Sequence, residues 1–210
     1  MAKKKESKQK TRLRSSYMFP NLHDSVESEV RDDIGAARFH DEDTDRNCNN
    51  LYETHVIARF ICLNRTCSTS TSSGKVAIRI RGYPGNAYNA VVFNQRCESC
   101  HALGKMRLNK DTYVERVSYR LKRWGGVEME RPPHSSRGTP PHKCELCEGC
   151  KAGYCLQGRM LKSLQKLSLE YLCSLLAWKL AGDVVLYDGL PPSHSQPCSF
   201  TWPYHPLSQS

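Results

Sequence analysis

The sequence of 210 residues predicts a small α+β domain, an antiparallel β-meander with one amphipathic helix, flanked by tails. β-Branched and aromatic residues alternate with polar ones in three segments near the middle of the chain, as is typical of strands. An apolar stripe at helical spacing follows these segments. Only 39% of the residues are hydrophobic, so we expect a modest core.

Charge divides the N-terminal part of the chain into two segments. Residues 1–20 carry seven Lys or Arg and one acid, and we interpret residues 1–16 as a disordered basic tail. Residues 17–50 form an acidic segment, in which apolar residues at helical spacing predict a short amphipathic helix: Phe19, Leu22, Val26 and Val30. Asn21 or Asp24 is the expected N-cap of this helix.

Three strands are predicted over residues 52–62, 75–84 and 88–97. In the second, Val76, Ile78 and Ile80 alternate with basic residues, so period two predicts an exposed basic side carrying Arg79 and Arg81. Pro84 and Gly85 supply turn chemistry before the third strand. Residues 55–126 carry thirteen Lys or Arg and three acids, a net charge of +10.

A helix is predicted in KDTYVERVSYRLKRWGG, where Thr112 and Glu115 fit a capping box. Its apolar stripe is Val114, Val117, Leu121 and Trp124. Arg116, Arg120 and Arg123 share another face. This face is either a solvated helix surface or a patch for phosphates or an acidic protein partner.

The chain contains 11 cysteines, and its start, MAKKKESKQKTRLRSS, lacks the apolar stretch of a signal peptide. We therefore expect an intracellular protein, cytoplasmic or nuclear, in a reducing compartment where structural disulfides are rare. Metal binding is the favoured role for the cysteines. The histidines and acids show no recognisable catalytic arrangement, so we expect no enzyme activity and no small-molecule substrate.

The cysteine spacing predicts closed tetrahedral zinc sites. Seven candidate ligands lie at C-x4-C, C-x2-C and C-x2-C-x4-C spacing: Cys62, Cys67, Cys97, Cys100, Cys147, Cys150 and Cys155. His142 or Cys144 would supply an eighth, and eight ligands close two four-coordinate sites without an open catalytic position. The alternative is that the chain binds one zinc ion and that the remaining cysteines are buried or redox-active. Spacing leaves open which pairs share an ion.

A zinc-stabilised fold is also expected on energetic grounds. A meander of a few short strands with one helix buries little surface, and small domains often depend on a metal. We therefore interpret both ions as structural and expect residues 55–155 to unfold when they are removed.

Ordered together, RFICLNRTC, KVAIRIRGYPGNAYNAVVFNQRCESCHALG, DTYVERVSYRLKRWGGV and PHKCELCEGCKAGYC resemble the fungal branch of the three-CxxC zinc-binding domain family. The family includes zygote arrest proteins and receptor-transporting proteins. The resemblance implies a zinc-binding domain over residues 52–157 with the seven cysteines above as ligands. It favours His142 as the eighth ligand, because the Pro-His pair recurs in related sequences while the position of Cys144 is commonly not cysteine.

The family implies two functions. Zygote arrest proteins are associated with RNA binding, and receptor-transporting proteins with membrane-protein trafficking. The basic middle domain favours RNA as the partner, through Arg79, Arg81, Arg116, Arg120 and Arg123. A protein partner, engaged by a trafficking adaptor, is the alternative. Tyr83, Tyr88 and Phe93 are candidates for base stacking or for the core.

The amino-acid composition changes after Gly158. One hypothesis is that the segment beyond this point is an unusual C-terminal end or an error in the gene model. Residues 158–188 predict an amphipathic helical extension, packed on the domain or on a partner. Its longest mostly apolar run is far shorter than the ~20 residues that span a membrane, so we expect no transmembrane span. Residues 189–210 are rich in Pro and Ser and are expected to be disordered.

Overall fold

Three long strands form the centre of the sheet, as the alternating segments predict. The computed structural model describes residues 13–132 and 141–165. In it, β3 (Asn50–Ile61), β4 (Ser70–Tyr83) and β5 (Ala87–Phe93) pair in antiparallel order. The turn from β4 to β5 places Gly85 at φ 69° and Asn86 at φ 55°, which are conformations that Gly and Asn adopt at little cost. The predicted α+β fold with its antiparallel meander is confirmed.

Three short strands extend the meander. They are β1 (Ser16–Met18), β2 (Arg38–Phe39) and β6 (Lys105–Leu108). The strand order is β1-β5-β4-β3-β6, and β2 pairs in parallel with β5. The sequence analysis missed these strands because two to four residues carry too little alternation to be recognised.

Two helices cover one face of the sheet. They are α1 (His23–Ile34) and α2 (Lys110–Trp124). Val26 and Val30 of α1 are fully buried, as the helical spacing predicted. They belong to one apolar core together with residues from β3, β4, β5 and α2, among them Val56, Val76, Ile78, Ile80, Tyr88, Val92, Tyr113 and Val117.

Both predicted helix caps were wrong in detail. The N-cap position of α1 is occupied by Leu22, whose side chain accepts no hydrogen bond from the helix N-terminus. A 3₁₀ turn over Pro20–Leu22 leads directly into this helix. At α2 the N-cap is Asn109, whose Oδ1 accepts a hydrogen bond from the Thr112 backbone N–H at 2.8 Å. Thr112 instead bridges α2 to β3, where its hydroxyl accepts from the Ile57 N–H.

The opposite face of the sheet is covered by the cysteine-rich segment near residue 150. A short helix, α3 (Glu148–Lys151), lies against Ala77, Val91 and Phe93. Gly149 makes the closest approach, since a Cβ atom at this position would lie 2.6 Å from the Ala77 Cβ. The two faces of the sheet therefore serve different purposes, because one carries the apolar core and the other carries the cysteines.

A further helical segment begins at residue 156 and continues to the last described residue, 165. Arg159 pairs with the buried Glu53 of β3. This ion pair ties the start of the predicted extension to the sheet. Within the described ranges, no helix is long and apolar enough to cross a membrane. Residues 166–188 of the predicted extension, the tail 189–210 and residues 1–12 of the basic tail lie outside the described residues.

Candidate metal centre

Four cysteines from two distant segments meet beyond the ends of β3 and β5. Cys62 and Cys67 flank the turn after β3, and Cys97 and Cys100 flank the turn after β5. Their sulfur atoms all lie within 4.8 Å of one another. The Cys62 and Cys100 sulfurs are 3.4 Å apart, and the Cys67 and Cys97 sulfurs are also 3.4 Å apart. We call this group the first site.

The spacing of these sulfurs fits one tetrahedral zinc ion. Zn–S bonds of about 2.3 Å in a tetrahedron place the sulfurs ~3.8 Å apart, close to the distances observed. Four thiolates leave no position for a water or a substrate, so the geometry is that of a structural site. β3 and β5 both pair in antiparallel with β4, which lies between them, so they run parallel to each other and end at the same edge of the sheet. This arrangement fixes the two cysteine pairs relative to each other.

A hydroxyl outside the ligand set supports the first site. The Thr69 Oγ1 lies 3.0 Å from the Cys97 sulfur and 3.3 Å from the Cys67 sulfur. The hydrogen bond from Thr69 is the main reason that the pKa of the Cys97 thiol is lowered to about 6. Because zinc binds thiolates, a thiol that ionises near neutral pH favours metal binding. Thr69 was missed in the sequence, where it is one hydroxyl residue among several.

The second site is formed within fourteen residues, by His142, Cys147, Cys150 and Cys155. The His142 Nε2 lies 3.1 Å from the Cys150 sulfur and 3.6 Å from the Cys155 sulfur. Cys147 is the N-cap of α3, and its sulfur accepts a hydrogen bond from the Cys150 N–H at 3.4 Å. All four ligand atoms lie within 4.8 Å of one another, which fits a Cys₃His zinc ion.

The positions of the two side chains favour His142 over Cys144 as the eighth ligand. Cys144 lies in the 3₁₀ turn Cys144–Leu146 and is half-buried, but it is not one of the four clustered residues. The donor sets of both sites match zinc, so the expectation of two ions is confirmed. The question that spacing left open is also answered: Cys62 and Cys67 share a site with Cys97 and Cys100.

His55 completes the surroundings of the second site. Its Nε2 lies 3.8 Å from the Cys155 sulfur, although the two residues are 100 positions apart in the chain. The pKa of Cys155 lies far below its ordinary range because of hydrogen bonds from Cys147 first, and then from His142 and His55. In the sequence His55 stands alone in a strand, so only the fold reveals this contact. Residues that contact a metal ligand without binding the metal themselves commonly tune the affinity of the site for its metal.

The predicted exposed basic side of β4 was wrong. Arg79 and Arg81 are 6% and 5% exposed. Arg81 bonds the Asp45 carboxylate at 2.6 Å and pairs with Asp43 at 2.8 Å, and Arg79 bonds Asp45 at 3.0 Å. The acidic loop before β3 covers these arginines. Neither guanidinium therefore lies at the surface, where a phosphate could reach it.

The two buried arginines and the exposed Asp45 carboxylate stabilise one another's charges. Burial by itself would raise the pKa of the Asp45 carboxyl, but the hydrogen bond and charge of Arg81, together with Arg79, lower it below its ordinary value. Arg79 also stacks on the ring of Tyr154, with its guanidinium carbon 3.9 Å from the ring centre. This contact joins β4 to the segment of the second site.

The three arginines of α2 differ in exposure. The Arg116 side chain is 11% exposed and donates to the Pro132 carbonyl at 3.2 Å. Arg120 lies over the ring of Tyr52 at 3.2 Å. Arg123 is exposed, and its Nη1 lies 3.4 Å from the Val127 carbonyl. Nucleic-acid binding by these residues stays a prediction, and exposure favours Arg123 among them.

The candidate stacking aromatics lie in the interior. Tyr83, Tyr88 and Phe93 are 7%, 0% and 7% exposed. Phe93 packs against the second site, and Tyr88 belongs to the main core. Of the two interpretations of these rings, the structure therefore favours packing in the core.

Comparison with known proteins supports the metal assignment. Residues 55–153 match the model of the three-CxxC zinc-ribbon family, whose description is a zinc-binding domain. This segment contains seven of the eight clustered residues, and Cys155 lies two positions beyond it. No curated protein and no solved structure matches the chain. The chain therefore carries a zinc-binding domain with two Cys/His clusters.

Proposed function

We propose that this chain is a structural-zinc module that binds single-stranded RNA through cations at the β6 edge of its sheet. Arg59 of β3 lies directly opposite Arg107 of β6 in the antiparallel register. Both side chains are exposed, and neither forms an ion pair with a described residue. Lys105 projects to the same side, two residues from Arg107. We call Arg59, Lys105 and Arg107 the basic strip.

The juxtaposition of Arg59 and Arg107 is the observation that carries the proposal. Like charges directly opposite each other destabilise an antiparallel pair. A polyanion that lies across both arginines removes this repulsion and releases counterions from its own phosphates. Resemblance to the zygote arrest proteins, which are associated with RNA binding, also supports this partner.

Charges on an edge strand also have a simpler purpose. Lysine and arginine on an outer strand discourage pairing with the sheet of another molecule. This purpose needs no RNA, and it predicts that a charge-neutral variant aggregates without any change in nucleic-acid affinity. The binding experiment below separates the two explanations.

Fluorescence anisotropy with a labelled single-stranded RNA tests the proposal. If the basic strip makes three phosphate contacts, a fourfold increase in salt weakens binding roughly 20-fold. The double variant Arg59→Gln/Arg107→Gln is expected to lose most of this affinity. The matched control is Arg46→Gln/Arg131→Gln, which removes two exposed cations away from the β6 edge. Equal RNA affinity of the two double variants, or affinity that is independent of salt, contradicts the proposal.

A protein partner is a second candidate, favoured by one observation. In the helical segment after the second site, large apolar side chains are exposed: Leu156 at 40%, Met160 at 55% and Leu164 at 56%. Their spacing of four residues places them on one side of a helix. An adaptor that docks through this side would form complexes that persist at high salt. Recovery of such a complex without salt-sensitive RNA binding would reverse the order of the two candidates.

A further inference from the structure

Two of the described cysteines lie outside both metal sites, and their surroundings differ. They are Cys48 and Cys144. The Cys48 thiol donates to the Asn50 carbonyl at 3.0 Å, so its hydrogen bond stays within its own loop. Cys144 instead packs against the apolar cluster that holds the cysteines of the second site. Cys144 therefore has a contact with a metal site that Cys48 lacks.

The ligand that Cys144 reaches is Cys150. Burial is the largest cause that raises the pKa of the Cys150 thiol, and a hydrogen bond with Cys144 is the next. Cys144 is not among the main causes of the pKa shifts at Cys147 and Cys155. The two thiols of Cys144 and Cys150 are therefore within hydrogen-bonding reach, and the fold favours this pair over the others in the segment.

The backbone around Cys144 holds this contact in place. The Cys147 N–H donates to the Cys144 carbonyl at 3.2 Å, which closes the 3₁₀ turn. The α3 helix, which contains Cys150, follows this turn directly. The Leu146 carbonyl accepts from the Arg96 N–H at 2.8 Å, so the turn is also fixed to the chain after β5.

The two cysteines differ in their access to solvent. Cys144 is half-buried, whereas Cys150 is buried. The Gly158 backbone lies over the Cys150 sulfur, since a Cβ atom at this glycine would be 2.7 Å from it. A small oxidant therefore reaches Cys144 first, because oxidation of cysteine follows exposure. A thiol that coordinates a metal is deprotonated, so Cys150 in the loaded site is a thiolate, the nucleophilic form of cysteine.

We propose that Cys144 and Cys150 form a reversible disulfide that takes Cys150 out of the second metal site. The oxidant is hydrogen peroxide or another hydroperoxide. It converts the Cys144 thiol to a sulfenic acid and is itself reduced to water or an alcohol. The Cys150 thiolate then attacks the Cys144 sulfur, the S–S bond forms and hydroxide leaves. Two electrons thus pass from the two thiols to one peroxide.

The disulfide opens the second site but not the first. A structural zinc site needs four ligands, and Cys150 in a disulfide is no longer a thiolate ligand. Three ligands of the second site then remain: His142, Cys147 and Cys155. Among the described residues, the sulfurs of the first site hydrogen-bond one another and Thr69, but no further cysteine. Oxidation is therefore expected to release one zinc ion and to leave the other bound.

Treatment of the zinc-loaded full chain with hydrogen peroxide, followed with a chromophoric zinc indicator, tests the proposal. We expect the wild type to release one zinc ion, and dithiothreitol with added zinc to restore it. Cys144→Ser is expected to release zinc several-fold more slowly, because its serine forms no disulfide. Cys48→Ser is the matched control, since it removes the other described cysteine outside the sites, and it is expected to behave as the wild type.

Peptide mapping of the oxidised wild type identifies the bond without any variant. Trypsin leaves Cys144, Cys147 and Cys150 in one peptide, but cleavage after Glu145 and Glu148 separates the three cysteines. We expect the fragments of Cys144 and Cys150 to be joined after oxidation and separate after reduction.

Three outcomes contradict the proposal. The first is zinc release at the same rate from wild type, Cys144→Ser and Cys48→Ser. The second is a disulfide that joins Cys144 to Cys147 instead of Cys150. The third is oxidation of Cys150 to sulfinic acid in the wild type without a disulfide. Zinc content and circular dichroism before treatment confirm that each variant is folded and loaded.

Discussion

At the scale of single residues, each metal site depends on side chains that do not bind the metal. Thr69 bonds two sulfurs of the first site, and His55 lies against one sulfur of the second. Such partners orient ligands and favour their ionised form. The cysteines were predictable from spacing alone. Their supporting residues were not, because a threonine or histidine has no distinguishing pattern in the sequence.

Replacement of Thr69 by valine tests this support. Thr69→Val removes the hydroxyl with little change in shape at an exposed position. We expect the first zinc ion to bind about 10–100-fold more weakly at neutral pH. Competition with a chromophoric chelator measures the change. Thr71→Val is the control, since Thr71 is exposed two residues further on, in β4, and forms no hydrogen bond to a sulfur among the described residues.

The same variant has a predicted pH dependence. Protons compete with zinc for thiolates, so zinc affinity falls as the pH falls. In the wild type the Cys97 thiol, with its pKa of about 6, adds to this loss only below about that pH. Thr69→Val raises the pKa of Cys97 toward its ordinary value, so the added loss begins at a higher pH. Identical pH profiles for variant and wild type would contradict the role of Thr69.

His142 and Cys144 allow a direct comparison of two candidate ligands. His142→Ala removes the only nitrogen ligand of the second site, and we expect weakening or loss of one zinc ion. Cys144→Ser is expected to keep both ions, because Cys144 is not one of the four clustered residues. Native mass spectrometry of both variants counts the ions. Retention of two ions by His142→Ala with loss of one by Cys144→Ser would reverse the assignment.

At the scale of elements, the alternation of β4 predicted the strand but not what covers its second face. Arg79 and Arg81 alternate with buried valine and isoleucine, which suggested a solvated side. The acidic loop holding Asp43 and Asp45 covers them instead, with more than 30 residues between partners. Period two identifies which side chains share a face. It carries no information on which distant segment packs there.

The α3 helix tests the packing of the second site on the sheet. Gly149 lies so close to β4 that an added Cβ would be 2.6 Å from the Ala77 Cβ and 3.3 Å from the Phe93 Cβ. We expect Gly149→Ala to lower the free energy of unfolding by about 1–3 kcal/mol, since buried backbone must shift. Thermal or urea unfolding of the zinc-loaded protein measures it. Ala152→Ser, at an exposed position of the same segment, is expected to change it by less than about 0.5 kcal/mol.

At the scale of the whole molecule, the two metal sites join elements that the sheet alone leaves separate. The first site ties the end of β3 to the turn after β5. The second holds the segment of residues 142–155 in shape against the face of the sheet opposite α1 and α2. The main apolar core lies on the helical face, whereas the opposite face has only a small apolar cluster around Ala77, Val91 and Phe93 beside the metal ligands. The cysteine-rich face therefore depends on its metal more than the helical face does.

Removal of zinc is therefore expected to disrupt the fold. Zinc binding contributes roughly 10–16 kcal/mol in small zinc-finger peptides, which equals or exceeds the stability of a typical domain, about 5–15 kcal/mol. A strong chelator should reduce the far-ultraviolet circular dichroism signal, and added zinc should restore it. An unchanged spectrum from protein shown to be metal-free would contradict the structural role.

The central claim is that two zinc ions, one in each Cys/His cluster, hold this fold together. Native mass spectrometry of the purified full-length chain tests it most directly, since it reports mass and compactness in one spectrum. We predict two zinc ions per chain in the narrow, low charge states of a folded protein, with wide, high charge states after chelation. A metal-free chain that keeps the narrow, low charge states would contradict the claim.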